Sequence, residues 1–402
     1  MFSGDPQESA LDYGMTRSTH HASMNLEQLF SQNLVRCTGD KPFDTQQLPP
    51  HGGVYAFADD RGAIVQLSSA ENLRRAVSSR LHPPDHPTKR PRTDLLEITD
   101  RVWWKPTHSQ FETFLEFHEI AYRLYAGRHR KMCAFGPSWF AGITLNDRFP
   151  RWLAANDPFA GESACVGPFA TRRKCEEFVK QIEDLFSLCR YHNILEQTPR
   201  GEACAYFEMQ RCPAPCDGTI PFDQYREALA GSVDFVLGAK DPLRSRLRRQ
   251  MKAASDDLDF ERANRAKQDL DTAEALATLL ARMHRRIGDF RYLIVQRAGG
   301  RTQVNAFVVN QGDIQQTEPA KLKELEDVAP RWLERVGQAA APARADATFA
   351  AERIWLVSHF LQKRDRTPGL YIHHSELPDA LELADLIRRT FSPNVKTGPP
   401  GV

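Results

Sequence analysis

No stretch of this 402-residue chain approaches the roughly 20 consecutive apolar residues that a membrane-spanning helix needs, and its N-terminus lacks the basic-then-apolar order of a signal peptide. A cytoplasmic protein with no membrane partner is expected. Net charge is also scarce: 53 Lys and Arg face 52 Asp and Glu, a formal balance of +1. The overall field therefore gives no long-range pull toward nucleic acid. Any phosphate contact has to come from local basic clusters: Arg74 and Arg75; Lys89, Arg90 and Arg92; Arg128, Arg130 and Lys131; Arg172, Arg173 and Lys174; Arg244, Arg246, Arg248 and Arg249. Taken singly, each reads as a solvated face, and only convergence on one surface would change that. Closely paired CxxC knuckles, the usual frame of a four-thiolate zinc site, are missing too. In a reducing compartment the even count of eight cysteines is no evidence of disulfides.

What is present is a dense cysteine tetrad. Cys189, Cys204, Cys212 and Cys216 fall within 28 residues as C-x14-C-x7-C-x3-C, the last pair inside R-C-P-A-P-C-D-G. Four thiolates from one loop-rich segment form a ligand set for an inorganic centre. Their uneven spacing matches neither the common zinc knuckles nor the common ferredoxin runs, so chemistry alone leaves an iron–sulfur cluster and zinc both open. Cys37, Cys133, Cys165 and Cys175 are scattered and read as ordinary thiols.

The length suits two to four domains, and the patterns indicate an α/β protein. Residues 1–45 read as a polar leader followed by an amphipathic helix from Met24 to Val35. Residues 46–130 read as a compact α/β domain, with strands Gly53 to Ala58 and Ala63 to Leu67 around a DDRG turn. A helix from Ala70 to Leu81, a basic Pro-rich loop from His82 to Arg92, a strand at Val102 to Trp104 and a helix from Ser109 to Tyr125 follow. Ser109 is the expected N-cap, with Glu112 at the capping-box position. Residues 131–238 read as a linker and the cysteine segment: 130–170 irregular, then a helix from Arg172 to Leu188 that delivers Cys189. In 239–282, two apolar stripes joined by DDLDFE predict an antiparallel helical hairpin with Pro242 in its first turn. Residues 288–402 read as a small α+β domain with strands at Tyr292 to Gln296, Gln303 to Val309 and Leu370 to His373. An Ala/Pro stretch, Gln338 to Ala345, lies between them. His373, His374 and Glu376 read as surface residues.

These segments carry a resemblance. FDTQQLPPHGGVY at 43–55 and IVQLSSAENLRRAV at 64–77 are similar to the opening of a GIY-YIG nuclease domain, as found in UvrC-type excinuclease subunits. Phosphodiester hydrolysis there calls on a base, a cation and one divalent metal. The chain keeps Tyr55 but has Gln66, Ser68, Ser69 and Ala76 where the second tyrosine, glycine, lysine and arginine stand, and Phe117 at the metal-binding glutamate. The resemblance thus implies a nuclease scaffold with its chemistry removed. The alternative is an active 3′-side incision endonuclease that binds a divalent metal through a site rearranged around Tyr55 and Glu116 or Glu119. CAYFEMQRCPAPCDGTIPFDQY at 204–225, with Cys189 upstream, resembles the cysteine loop of UvrC, which implies a [4Fe–4S] cluster on the tetrad. KAASDDLDFERANRAKQDLDTAEAL at 252–276 is similar to the UVR motif, which implies docking on UvrB through Leu258, Phe260 and Glu261. QVNAFVVNQGDIQQT and LYIHHSELPDALELADLI resemble segments that lead to the family's RNase-H-like nuclease, a domain expected to be absent here. DNA repair by nucleotide excision is the implied function, with Arg74, Arg75, Arg172 and Arg173 the implied DNA contacts.

Overall fold

The computed structural model describes residues 26–37, 43–81, 95–125, 127–133, 138–238, 242–281, 283–284, 286–338, 347–363 and 368–392. The expected leader, the basic Pro-rich loop and nearly all of the Ala/Pro stretch lie outside them.

The first unit is built from β1 (Gln32–Val35), β2 (Gly53–Ala58), β3 (Ile64–Ala70), α1 (Leu73–Leu81), β4 (Arg101–Pro106), α2 (Gln110–Leu124) and α3 (His129–Met132). Its antiparallel sheet runs β1-β4-β2-β3. Two-residue periodicity sorts the side chains between two helices. Tyr55, Phe57, Val102 and Trp104 pack with Leu73, Val77 and Leu81 of α1. Val54, Ala56, Ala58, Leu67 and Trp103 pack with Ile120, Ala121 and Leu124 of α2. Gly53 is required where α1 meets the sheet, because a Cβ there would fall 2.5 Å from the Lys105 carbonyl oxygen and 2.7 Å from Leu73.

Local chemistry fixes the element ends. The Asn72 side chain accepts from the Arg75 amide at 2.9 Å and starts α1 three residues later than expected. Ser109 Oγ accepts from the Glu112 amide at 3.1 Å, while Glu112 reaches back to the His108 amide at 2.8 Å. The helix expected from Met24 to Val35 is replaced by a single 3-10 turn at Leu26–Gln28 and the edge strand β1. There Leu34 faces α1, whereas Leu29 and Phe30 face the α2 side. A helix would put these residues on one stripe, but two separate cores claim them.

The second unit corrects the irregular reading of 130–170. Strands β5 (Trp139–Ile143), β6 (Leu153–Ala155) and β7 (Ala164–Phe169) form an antiparallel sheet in the order β6-β5-β7. Helix α4 (Arg172–Leu185), capped by Thr171, covers it. After it come the short helices α5 (His192–Leu195) and α6 (Ala205–Glu208), then α7 (Phe222–Leu237) and the hairpin α8 (Pro242–Asp256) and α9 (Phe260–Leu280). One core joins all of these: Phe178 and Ile182 of α4, Cys189, Leu195, Cys212, Tyr225, Leu243, Leu247, Leu270, Ala273 and Leu276 are buried together.

The third unit comprises β8 (Arg291–Arg297), β9 (Gln303–Asn310), β10 (Asp313–Gln316), β11 (Ala320–Lys321), α10 (Leu325–Gln338), α11 (Ala347–Gln362), β12 (Leu370–His373) and α12 (Ala380–Phe391). The sheet runs β10-β9-β8-β12, with β11 also on β9. Helices α10 and α12 cover one face through Trp332, Val336, Leu383 and Ile387. On the other face, Ile354, Val357 and Phe360 of α11 pack with Ile294, Phe307 and Val309, and the same cluster takes in Phe111 of α2, Phe140 of β5 and Cys165 of β7. Side chains from all three units thus share one core.

Candidate metal centre and neighbouring surfaces

Tyr55 is buried at 4 % exposure on the α1 face, stacked edge-on to Phe57 at 5.6 Å. Ser68 stands opposite it in the ladder and Gln66 opposite Phe57, with Gln66 Nε2 donating to Ser68 Oγ at 3.2 Å. The carboxylates of α2 lie on the other side of the sheet and are engaged there. Glu116 accepts from Lys105 Nζ at 2.6 Å, although burial pushes its carboxyl up against that pull. Glu119 pairs with Arg123 at 2.6 Å and Arg353 at 2.8 Å, and Glu112 also accepts from Gln316 at 2.9 Å. Phe117 packs with the α2-side core. The tyrosine hydroxyl and the two substitute carboxylates do not converge.

The cysteine segment is shaped by tight turns after α4. Ser187 at φ 54° reverses the chain, and the Cys189 amide donates to Tyr225 Oη of α7 at 3.0 Å. Further on, the Arg211 and Cys212 amides both donate to the Tyr206 carbonyl, and Ala214 at φ 52° turns the chain toward Cys216. The Gly201 amide then donates to the Cys216 carbonyl at 2.8 Å, closing the segment on itself. Cys189, Cys212 and Cys216 are buried and Cys204 is half-buried, all as free thiols.

Cys189, Cys212 and Cys216 act on one another. A thiol–thiol hydrogen bond raises Cys189 and lowers Cys212, and burial adds to the rise at Cys189 and opposes the fall at Cys212. Burial also raises Cys216. No three of the four sulfurs lie within 4.8 Å of one another. Both a tetrahedral zinc and an iron–sulfur cluster take cysteine thiolates, and the tetrad offers four donors to either. Beside it, a cavity of about 370 Å³ is walled by Tyr225 and Pro213 and edged by Arg211, Arg246, Arg265 and Asp269. Arg211 also reaches Asp269 of α9 at 3.6 Å, which ties the cysteine loop to the hairpin.

Residues 139–235 match the family model of the UvrC/Cho excinuclease middle domain. That span starts at the first residue of β5, ends inside α7 and holds all four cysteines. The chain is 28 % identical over 233 residues to the UvrABC system protein C of Mycobacterium sp. strain KMS, covering 56 % of this chain and 33 % of that protein. It is 27 % identical over 239 residues to the UvrABC system protein C of Trichlorobacter lovleyi, covering 58 % and 38 %, and of Carboxydothermus hydrogenoformans, covering 59 % and 38 %. The chain thus spans little more than a third of the length of these relatives. No solved structure matches it.

The remaining expected contacts fall on separate surfaces. Arg74 gives its guanidinium to the Leu48 and Gln46 carbonyls at 2.9 and 3.0 Å, which leaves Arg75 as the exposed cation of α1. On α4, Arg172 pairs with Glu176 at 2.7 Å and Arg173 with Glu177 at 3.7 Å. At the hairpin tip Leu258 and Phe260 are 71 % and 70 % exposed, with Glu261 beside them, whereas the base of the hairpin is buried. His373 Nε2 meets the Asp289 carbonyl at 3.0 Å on the surface. Among the described residues, the trio of potential metal donors drawn closest together is one the sequence reading missed: His118, His129 and Glu352, all buried. Glu352 lies 234 residues from His118 and 223 from His129 in the chain, so no local spacing announces the trio. No helix among the described residues is long and apolar enough to cross a membrane.

Proposed function

We propose that this chain acts in nucleotide-excision DNA repair as a UvrC-like factor that binds DNA and a UvrB-like partner without cutting DNA at its N-terminal unit. The observation that carries the reading is the cysteine tetrad, which lies within the span similar to the UvrC/Cho middle domain, with Cys189 and Cys212 in the core of the second unit. Cys189, Cys204, Cys212 and Cys216 hold a [4Fe–4S] cluster in this reading, as the likeness of the cysteine segment to the UvrC loop implies, with zinc the alternative on the same thiols. The cluster supplies a rigid inorganic node. Around it, Tyr225 fixes the Cys189 backbone and Arg211 fixes the hairpin. The cavity edge with Arg211, Arg246 and Arg265 puts cations beside this node, suited to backbone phosphates. Loss of incision follows from burial of Tyr55 away from Glu116 and Glu119, with phenylalanine at position 117.

The test is incubation of the full chain with damaged duplex, UvrA, UvrB and Mg²⁺ or Mn²⁺. Retention on the damaged duplex without a nick 3′ to the lesion is expected. Efficient 3′ incision abolished by Tyr55→Phe would establish the active endonuclease instead. No association with DNA or UvrB would point to an interaction module outside repair.

A further inference from the structure

We propose that His118, His129 and Glu352 form a binding site for one first-row divalent transition ion, which would clamp α2 and α3 of the first unit to α11 of the third. The Nε2 atoms of His118 and His129 each stand 2.8 Å from the same oxygen, Oε2 of Glu352. All three side chains are essentially sealed from solvent, at 0 %, 3 % and 0 % exposure. An ion with bonds near 2.1 Å sets neighbouring ligands about 3.0 Å apart in an octahedron and about 3.4 Å in a tetrahedron. Small side-chain shifts would therefore open the trio around it.

The donor set and its protonation suit such an ion. Two imidazoles and one carboxylate favour zinc, cobalt or ferrous iron over calcium or magnesium, which prefer all-oxygen sites. Burial keeps His118 below its usual value, hence neutral. Burial would raise Glu352, but hydrogen bonds from His118, Arg130 and His129 override it and hold the carboxyl at about 2, hence ionised. Neutral imidazoles and a carboxylate are the forms that ligate. Arg130 occupies the other oxygen, Oε1, and orients the carboxylate from behind. Phe349, stacked on His118 at 5.2 Å, and Tyr122, 4.8 Å from His129, wall the site.

One feature limits its strength. With an ion on Nε2, the ring proton of His129 moves to Nδ1, which is buried with no partner among the described residues. An unsatisfied donor of that kind weakens binding roughly ten- to hundredfold. The measurement is therefore a titration rather than the metal content of isolated protein.

The full chain, treated with chelator, is titrated with Co²⁺. One equivalent should bind with visible d–d absorption and no sulfur-to-cobalt charge transfer in the difference between wild type and Glu352→Gln, and the thermal midpoint should rise. Both responses should vanish in Glu352→Gln and His129→Ala, and persist in Glu119→Gln, which leaves the trio intact. A d–d signal undiminished in Glu352→Gln, or none free of sulfur, overturns the site and leaves a hydrogen-bonded clamp. Circular dichroism without metal checks folding. Should both variants unfold, paramagnetic resonance of Cu²⁺-loaded wild type decides: coupling to two imidazole nitrogens supports the site, and its absence refutes it.

Discussion

Cys212 is the sulfur on which the tetrad turns. Its hydrogen bond with Cys189 holds it below the ordinary thiol value against the pull of burial, so it is readier than Cys189 or Cys216 to become a thiolate ligand. Anaerobically purified protein should be brown, with iron rather than zinc bound, and Cys212→Ser should lose the colour and the iron. Colourless wild-type protein carrying zinc would reverse the assignment. His284 offers a different residue-level test. Burial lowers it from 6.5 to about 4, so in the folded chain it stays neutral where the unfolded chain would take a proton. Stability should therefore fall as pH drops from about 6.5 to about 4, by at most about 3 kcal/mol, and by less because the ring is only half-buried. Denaturant midpoints across that range should show a drop that His284→Gln reduces.

Among the elements, those with strong local chemistry were legible in the sequence. Ser109 and Glu112 fixed the start of α2, Asn72 marked α1, and Pro242 with the L-D-F-E turn marked the hairpin. Elements chosen by distant partners were not. Strand β1 exists because β4 pairs with it, and its helix-like apolar spacing is a by-product of feeding two cores. Strands β5 to β7, with Gly142, Gly161, Gly167 and Pro168 among them, carry few strand signals of their own. The tetrad was readable because four cysteines share a short segment; the His118 trio was not, because Glu352 lies 223 residues downstream of His129. The hairpin divides the same way: Leu270, Ala273 and Leu276 bury its base, while Phe260 stays open at the tip. Phe260→Ala should therefore abolish capture by UvrB in a pull-down while shifting the thermal midpoint little. Leu270→Ala should cost about 2–5 kcal/mol of stability. Equal destabilisation by both would mean that the tip is buried after all.

At the level of the whole molecule, the three units are joined through side chains rather than linkers. Phe111 of α2 lies 5.1 Å from Phe307 and 5.2 Å from Phe360, edge to face, at 0 % exposure. Phe111→Ala should cost about 3–5 kcal/mol. Because the first and third units share that core, calorimetry should show one cooperative transition moving to lower temperature. Separation into two transitions would mean that the shared core contributes little. A second consequence comes from α9, which runs 21 residues, roughly 30 Å, from its open tip at Phe260 to its seat against α4. It is a lever arm with its fulcrum at Asp269, where Arg211 grips it one residue from Cys212. On the proposed reading, a protein that seizes the far end would exert a torque on the cysteine loop, and loss of an inorganic centre from that loop would slacken the arm.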